Sequence, residues 1–225
     1  VKTLRNLIFL SGFLFCASFH AQADLLGVDA ISTLPELASG TLAIQYTASS
    51  GLFTVSGDTS FYTAPDATGY SVTTNDWSAV GTFNLSANIA TNGDLLSGTV
   101  TIVGGVRDDF DNEIYPWGTL LQGNLTAFGY QDLGTGGPDK FDFRFDVTGG
   151  ALAGVYGSLG GILIDTTEES PFAGTFMSDF GNPEQVWETV GNTAMIPEPE
   201  PQLLIILSVL GLCWVARWRA PLRKG

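Results

Sequence analysis

The sequence predicts an all-β, antiparallel domain: first choice a jelly-roll-like β-sandwich, second choice a partly closed barrel. Three observations carry that expectation. Gly, Thr, Ser, Asn and Asp punctuate short apolar runs through the whole central region. Several of those runs alternate apolar with polar residues, the period of a half-buried strand. No stretch sustains a 3.6-residue period for three turns; residues 26–38 come nearest, with Leu26, Ile31, Leu34 and Leu37, and Pro35 cuts them.

Taken in order, Leu42, Ile44 and Tyr46 alternate with Thr41, Ala43, Gln45 and Thr47 in a first strand. Leu52 to Val55 follows Ser49-Ser50-Gly51 as its hairpin partner. Residues 57–78 are aromatic but turn-rich, which predicts a short strand over 60–63 and then a long loop. The clearest hairpin comes next. Phe83, Leu85, Ala87 and Ile89 alternate with Asn84, Ser86 and Asn88, and Leu96, Val100 and Ile102 form the return strand. Between them Asn92-Gly93 is the pair that a tight turn with two positive φ angles favours. Leu120 to Phe128 is a further strand. Phe141, Phe143, Phe145 and Val147 alternate with Lys140, Asp142, Arg144 and Asp146, so one face is fully apolar and belongs over the centre of the core. Residues 155–164 predict a strand bent at Gly160-Gly161, residues 173–177 close the sheet, and 180–193 run through a turn into a linker. A weak echo joins Leu37–Leu42, Leu95–Val100 and Leu120–Leu125, with a looser copy at Phe172–Phe176. Its unequal spacing argues against a solenoid and for equivalent strand starts in one sheet system.

The two ends differ from this body. Lys2 and Arg5 precede an apolar run from Leu7 to Phe19, and Ala21-Gln22-Ala23 is a small-x-small cleavage site, so residues 1–23 read as a signal peptide. The domain is assigned to 24–182 and a linker to 183–196. The tail, 197–225, begins Pro197-Glu198-Pro199, continues as an apolar run over 203–216, and ends with Arg217, Arg219, Arg223 and Lys224. A helix of that run spans about 20 Å, a marginal transmembrane length that Trp214 and Trp218 as interfacial anchors extend. The prolines prevent a helix from continuing out of the membrane and favour an extended, cleavable neck.

Those three parts in that order resemble the PEP-CTERM sorting signal of Gram-negative bacteria. The resemblance covers the tail alone. It implies cleavage near Pro197-Glu198-Pro199 by an exosortase-like membrane protease, then release or transfer from an inner-membrane-anchored precursor to the cell surface or extracellular space. Exopolysaccharide is a frequent product of species that carry the signal. The plainer alternative is an ordinary C-terminal membrane anchor.

Composition narrows the functions open to the exported part. Between Asp24 and Ile196 there is no cysteine and no histidine. A disulfide framework, a Ser-His-Asp or Cys-His relay and the usual zinc ligands are therefore excluded there. The only basic residues in that span are Arg107, Lys140 and Arg144, against 21 acidic ones. Nucleic acid and anionic lipid surfaces are disfavoured partners for such a domain.

Three groups of residues were weighed as sites. Asp109, Asp111, Asn112 and Glu113 form the densest run of oxygen donors, suited to Ca²⁺, with a solvated turn as the plainer alternative. The run is not an EF-hand, whose sixth and twelfth positions would fall on Ile114 and Leu120. Asp142 and Asp146 lie on one strand about 13 Å apart, too far for a glycosidase pair; a surface paired with Lys140 and Arg144 is expected. Trp77, Trp117 and Trp187 with Tyr62, Tyr70 and Tyr115 would suit sugar stacking if exposed, and core or rim packing if not. The Glu168-Glu169 pair reads as solvated charge. The function expected is an exported surface or matrix protein, structural or exopolysaccharide-associated, with no catalytic activity and no obligate cofactor. A lectin-like, calcium-dependent glycan-binding module is the alternative.

Overall fold

The structure, a computed structural model, describes residues 25–28, 33–133, 138–166, 172–181 and 189–196. The segments expected to be a signal peptide, 1–23, and a tail helix, 203–216, lie outside the described residues, as do Trp187 and Glu168-Glu169. In chain order the elements are β1 (Glu36–Thr47), β2 (Leu52–Thr63), β3 (Gly69–Thr73), β4 (Gly81–Ile89), β5 (Leu95–Arg107), β6 (Glu113–Gln131), β7 (Lys140–Gly149), α1 (Ala153–Tyr156), β8 (Leu159–Thr166), β9 (Phe180–Gly181) and β10 (Thr189–Met195). No helix among the described residues is long and apolar enough to cross a membrane. The strands pair antiparallel throughout and belong to one sheet, as the alternation predicts.

The order of pairing returns on itself. β1 bonds β2, β2 bonds β4, and β5, β6, β7, β8 and β10 follow in turn until β10 bonds β1 again. β3 extends the line of β4. It occupies the same gap between β2 and β5, beyond the point where β4 begins, and the chain from Thr74 to Ala79 is a loop thrown out between them and pinched by a Thr73–Val80 bridge.

One face of this sheet system is apolar because the strands hold the two-residue period. β4 buries Phe83, Leu85, Ala87 and Ile89 and exposes Thr82, Asn84, Ser86 and Asn88 without exception. The buried faces of nine strands, β1 to β9, join in one cluster, dominated by aromatic rings. Phe143, fully buried, lies 4.7 Å from Phe128 and 5.8 Å from Phe53, ring centre to ring centre. The two ends of the cluster are covered differently. At the end where β1 starts, Tyr156 of α1 is buried and its hydroxyl donates to the Thr193 carbonyl at 2.9 Å. At the end where β1 finishes, Phe172, Phe176 and Phe180 pack on Tyr46, Tyr130 and Phe141, and the Tyr46 hydroxyl donates to the Phe176 carbonyl at 3.0 Å.

Several boundaries differ from the sequence expectation, each for an identifiable reason. β2 is one strand through residue 57, where a Cβ would meet the Thr41 carbonyl; that glycine marks close strand packing against the β1 bulge, not a turn. The loop expected over 64–78 contains β3. The 90–94 turn has a single positive φ, at Gly93, and closes through Ala90 and Asp94 backbone bonds, so it is longer than a two-residue turn. β6 runs far past both predicted ends, absorbing Pro116 and its glycines at bulges against β5 and β7. The 155–164 strand is a short helix followed by β8, and 173–177 is a covering segment without strand pairing. The assignment of 183–196 to a linker is corrected: Thr189–Met195 is β10, bonded on both sides. The echo does not mark equivalent strand starts, since Leu120 lies in the middle of β6.

Phe145 shows why two of these glycines are needed. Its buried ring lies over Gly123 of β6 and Gly160 of β8, where a Cβ would be driven into the ring. Gly160→Ala should therefore lower the unfolding free energy by about 1–3 kcal/mol, the usual cost of overpacking. Adding Phe145→Leu should make the loss at position 160 smaller than it is in the wild-type background. Denaturant midpoints of the four proteins in the cycle measure both effects; an unchanged cost in the Phe145→Leu background would show the strain to lie elsewhere.

Candidate functional site

The outer face of the sheet gathers its exposed apolar side chains at one end. Nine large apolar side chains are exposed among the described residues, and five of them, Phe61, Trp77, Phe110, Ile114 and Trp117, lie around the β2–β3–β5–β6 crossing. The register explains their proximity: Phe61 pairs Ser71, Ser71 pairs Arg107, and Arg107 pairs Glu113. Val72 and Val106 between them are buried, so Ser71, Thr73, Gly105 and Arg107 face outward.

Arg107 is the node of this surface. Its guanidinium carbon sits 3.4 Å from the centre of the Trp77 ring, its Nη2 is 3.5 Å from Glu113, and its Nη1 donates to the Asp111 carbonyl at 3.4 Å. Its Nε is buried with no hydrogen-bond partner among the described residues. Both flanking residues adopt a backbone conformation that L-residues avoid, Trp77 with φ 66° and Asp111 with φ 64°. The thrown-out loop holds Trp77 in place. Asp76 accepts bonds from the Thr74 hydroxyl and from the Ser78 hydroxyl and amide, which keep its carboxyl below the usual range, the Ser78 hydroxyl most. One face of Trp77 is thus taken by Arg107 while the side chain stays 45% exposed; Trp117 is 51% exposed. Gly105, having no side chain, lets the Trp117 backbone close to contact distance.

The three tyrosines weighed with these tryptophans play a different part. Tyr62 is buried, stacked on Tyr70 at 5.9 Å and met edge-on by Tyr115 at 6.3 Å. Burial, then the neighbouring Tyr115, Tyr70 and Asp66, push the Tyr62 hydroxyl up to about 12. They pack beneath the surface and leave Trp77 and Trp117 as its stacking faces.

The oxygen-rich loop is organised around Asp108, which lies outside the predicted donor set. Asp108 accepts from the amides of Phe110 and Asn112 and from the Asn112 side chain, and that last bond does most to hold its carboxyl below the usual range. Asp109, Asp111, Asn112 and Glu113 are all exposed, the Asn112 amide is committed to Asp108, and Glu113 faces Arg107. No group of three or more His, Cys, Asp or Glu side chains converges for a metal among the described residues. The bonds within the loop are those of a closed turn.

Asp142 and Asp146 part company. Asp146 is exposed, whereas Asp142 is almost fully buried beneath residues 25–28. The Val28 amide donates to Asp142 at 3.3 Å, and Arg144 donates to the Leu26 carbonyl at 2.9 Å. Lys140 pairs with Asp165 at 3.2 Å. Leu26 and Val28 pack with Leu163, Ala194 and Ile196 in a small apolar cluster outside β8 and β10. Asp142 thus fastens a strap. Phe61 carries no signal in the sequence, and Arg107, Asp108 and Phe110 belong there only to the run 107–113 that contains the oxygen donors. The signal that would have found Arg107 is its place at the end of an outward-facing alternation, as one of three basic residues in the whole body.

Burial raises the Asp142 carboxyl above its usual value, more than the amides of residues 26–28 and Arg144 lower it. A raised carboxyl binds its proton more tightly in the folded state, so stability declines as pH rises through the interval above the unfolded value of 3.8. Asp142→Asn keeps an acceptor for the strap without a charge. It should be at least as stable as wild type at neutral pH, with a flatter acid profile. Asp142→Ala should cost about 1–2 kcal/mol by stranding the amide. Thermal midpoints across the acid range test the pair, and an Asn variant that loses as much as Ala would refute the account. Compared with family models, curated proteins and solved structures, the chain matches none.

Proposed function

We propose that this chain is an exported, non-catalytic protein of the cell surface or extracellular matrix that associates with polysaccharide and is delivered through its C-terminal sorting signal. The observation that carries the polysaccharide part is the pair of exposed tryptophans, Trp77 stacked on Arg107 and Trp117 beside Gly105, on the outer face of the sheet. Flat aromatic faces suit the C–H faces of pyranose rings, and a tryptophan held at positive φ by a closed loop is a feature that packing alone does not call for. The sorting part rests on the tail's three-part pattern. It is supported by the meeting of Val28 with Ile196 at Gly161, which brings the residues just inside both expected processing points to one patch. Of the two architectures, the ring of strand pairings supports the partly closed barrel, since two separate sheets would break it. A filled aromatic interior makes it a support for surface sites.

Two measurements test the two parts. Affinity electrophoresis of the full-length protein through gels containing hydroxyethylcellulose, dextran or alginate should show retardation by a polysaccharide. Trp77→Ala and Trp117→Ala should each weaken it roughly tenfold, the scale of an aromatic anchor; equal retardation of all three proteins would remove the aromatic surface from the reading. The mass of the protein from cells with and without the exosortase-like enzyme should show a chain that starts at Asp24 and ends near Pro199 only when the enzyme is present. Retention of Arg217 to Gly225 in both would make the tail a plain anchor.

A further inference from the structure

The outward side chains of β5 run in one line from the aromatic surface to the far end of the sheet: Arg107, Gly105, Val103, Thr101, Thr99 and Ser97. Their inward neighbours Val106, Ile102 and Val100 are buried, which fixes the direction of each. The line is about 33 Å long at the usual rise of a strand. At its far end lies a depression of about 540 Å³, lined among others by Ser86, Asn88, Thr99, Asn124 and Leu96. Leu96 is 70% exposed, lines the depression together with the buried Leu125, and stands at the bulge between β4 and β5.

The middle of the line is flanked by two cross-strand rows, Ser86–Thr99–Asn124 and Asn84–Thr101–Gln122, spaced about 4.8 Å from strand to strand. Among the described residues none of these six side chains hydrogen-bonds another protein side chain, and five of the six are exposed. None carries a charge. That is unusual on a chain whose formal net charge is −14. The nearest carboxylates stand at the margins: Asp58 pairs Thr82, and Asp146 pairs Asn124. An anionic polymer would be repelled by those margins and find no cation in the middle. A cationic one would gain nothing over the rest of this acidic surface. A neutral, hydroxyl-rich chain finds hydroxyl and amide partners at regular spacing, with an apolar face to lie on at each end.

We infer that the outer face of β5, from Trp77 and Trp117 to the depression at Leu96, is one extended binding track for a single neutral polysaccharide chain. The inference rests on the polysaccharide reading above and deepens it: the ligand is a polymer without charge, and the aromatic surface is one end of its site. Binding should then increase with chain length and be insensitive to salt.

The test uses the full-length protein in mild detergent with hydroxyethylcellulose and dextran as neutral polymers, alginate as an anionic one, and cello-oligosaccharides of two to six units. A neutral polymer should bind more tightly than alginate, with affinity rising along the oligosaccharide series if its linkage is the one recognised and otherwise along size-graded dextrans. Thr99→Arg and Asn124→Arg, both at exposed positions, should weaken polymer binding tenfold or more at unchanged thermal midpoints; Asn84→Lys replaces either one that shifts its midpoint. Wild-type binding to a polymer that these variants share, or that saturates at the dimer in both series, would confine the site to Trp77 and Trp117 and overturn the track. Preference for alginate would overturn it as well. Wild type that binds none of these polysaccharides would remove the polysaccharide reading itself.

Discussion

The structure depends on the double pairing of β1. This strand is bonded to its sequence neighbour β2 on one side and to β10, from the far end of the body, on the other. Without the second bond the sheet would have two long edges, at β1 and β10, each a row of unpaired amides and carbonyls and a template for association with other chains. With it, the backbone groups of eight strands are satisfied in a ring and their apolar faces share one interior. A body with no cysteine has no covalent means of holding its ends together, so this seam and the aromatic packing behind it must suffice. The seam joins residues that are far apart in the chain, so it is expensive in loop-closure entropy and belongs late in folding. The strap of residues 25–28, fastened to Asp142 and packed on Ala194 and Ile196, lies across the outside of that same region.

Filling the interior with rings sets what the rest of the molecule can do. Phe53, Phe128, Phe141, Phe143 and Phe145 fill the space behind the apolar faces of the strands, and Tyr156 at one end and Phe176 at the other cover it. That leaves the outer face for the binding proposed above. There the residues are free of the demands of packing, and their pattern carries information that core positions cannot. Alternation forces β4 and β5 to be polar outside but does not choose among polar residues; Thr, Ser and Asn in every outward place of β4, in a chain rich in carboxylates, is a choice.

How far the sequence was legible follows from where local rules decide. The β4–β5 hairpin and the alternation of β7 were legible because each strand states its own period. β10 was not. Thr189–Met195 holds no strong alternation of large apolar residues, and it is a strand because β8 and β1 leave a gap of the right width between them. β3 was hidden for a similar reason, since five residues between two turns gain their pairing from β2 and β5 on either side. Glycines misled in the opposite sense. Gly57 opens a stretch that looks turn-rich and Gly160 looks like a bend, yet both serve as close contacts in the fold. Of the sites, the tryptophans were legible as residue types, but their separation from Tyr62, which is core, required burial to be known. The acidic loop was located correctly, yet its centre, Asp108, was outside the proposed set because an Asx-type turn and a cation site use the same residues.

The loop from Thr74 to Ala79 sharpens the argument about the outer surface. β3 and β4 lie end to end against β5, with Thr73 opposite Gly105 and Thr82 opposite Val103. The chain between them leaves the sheet, places a tryptophan in a backbone conformation that costs of order 1 kcal/mol or more, and returns through a single bridge. Four hydrogen bonds centred on Thr74 and Asp76 hold the excursion shut. Stability does not require it, since a continuous strand would pair more backbone and strain none. What the excursion achieves is to set an indole against Arg107, the one cation of the β2–β6 half of the body, and to leave its edge and far face in solvent. A fold that accepts strain to present an aromatic face, and places it at the end of an uncharged polar line, has the features that the proposed binding track calls for.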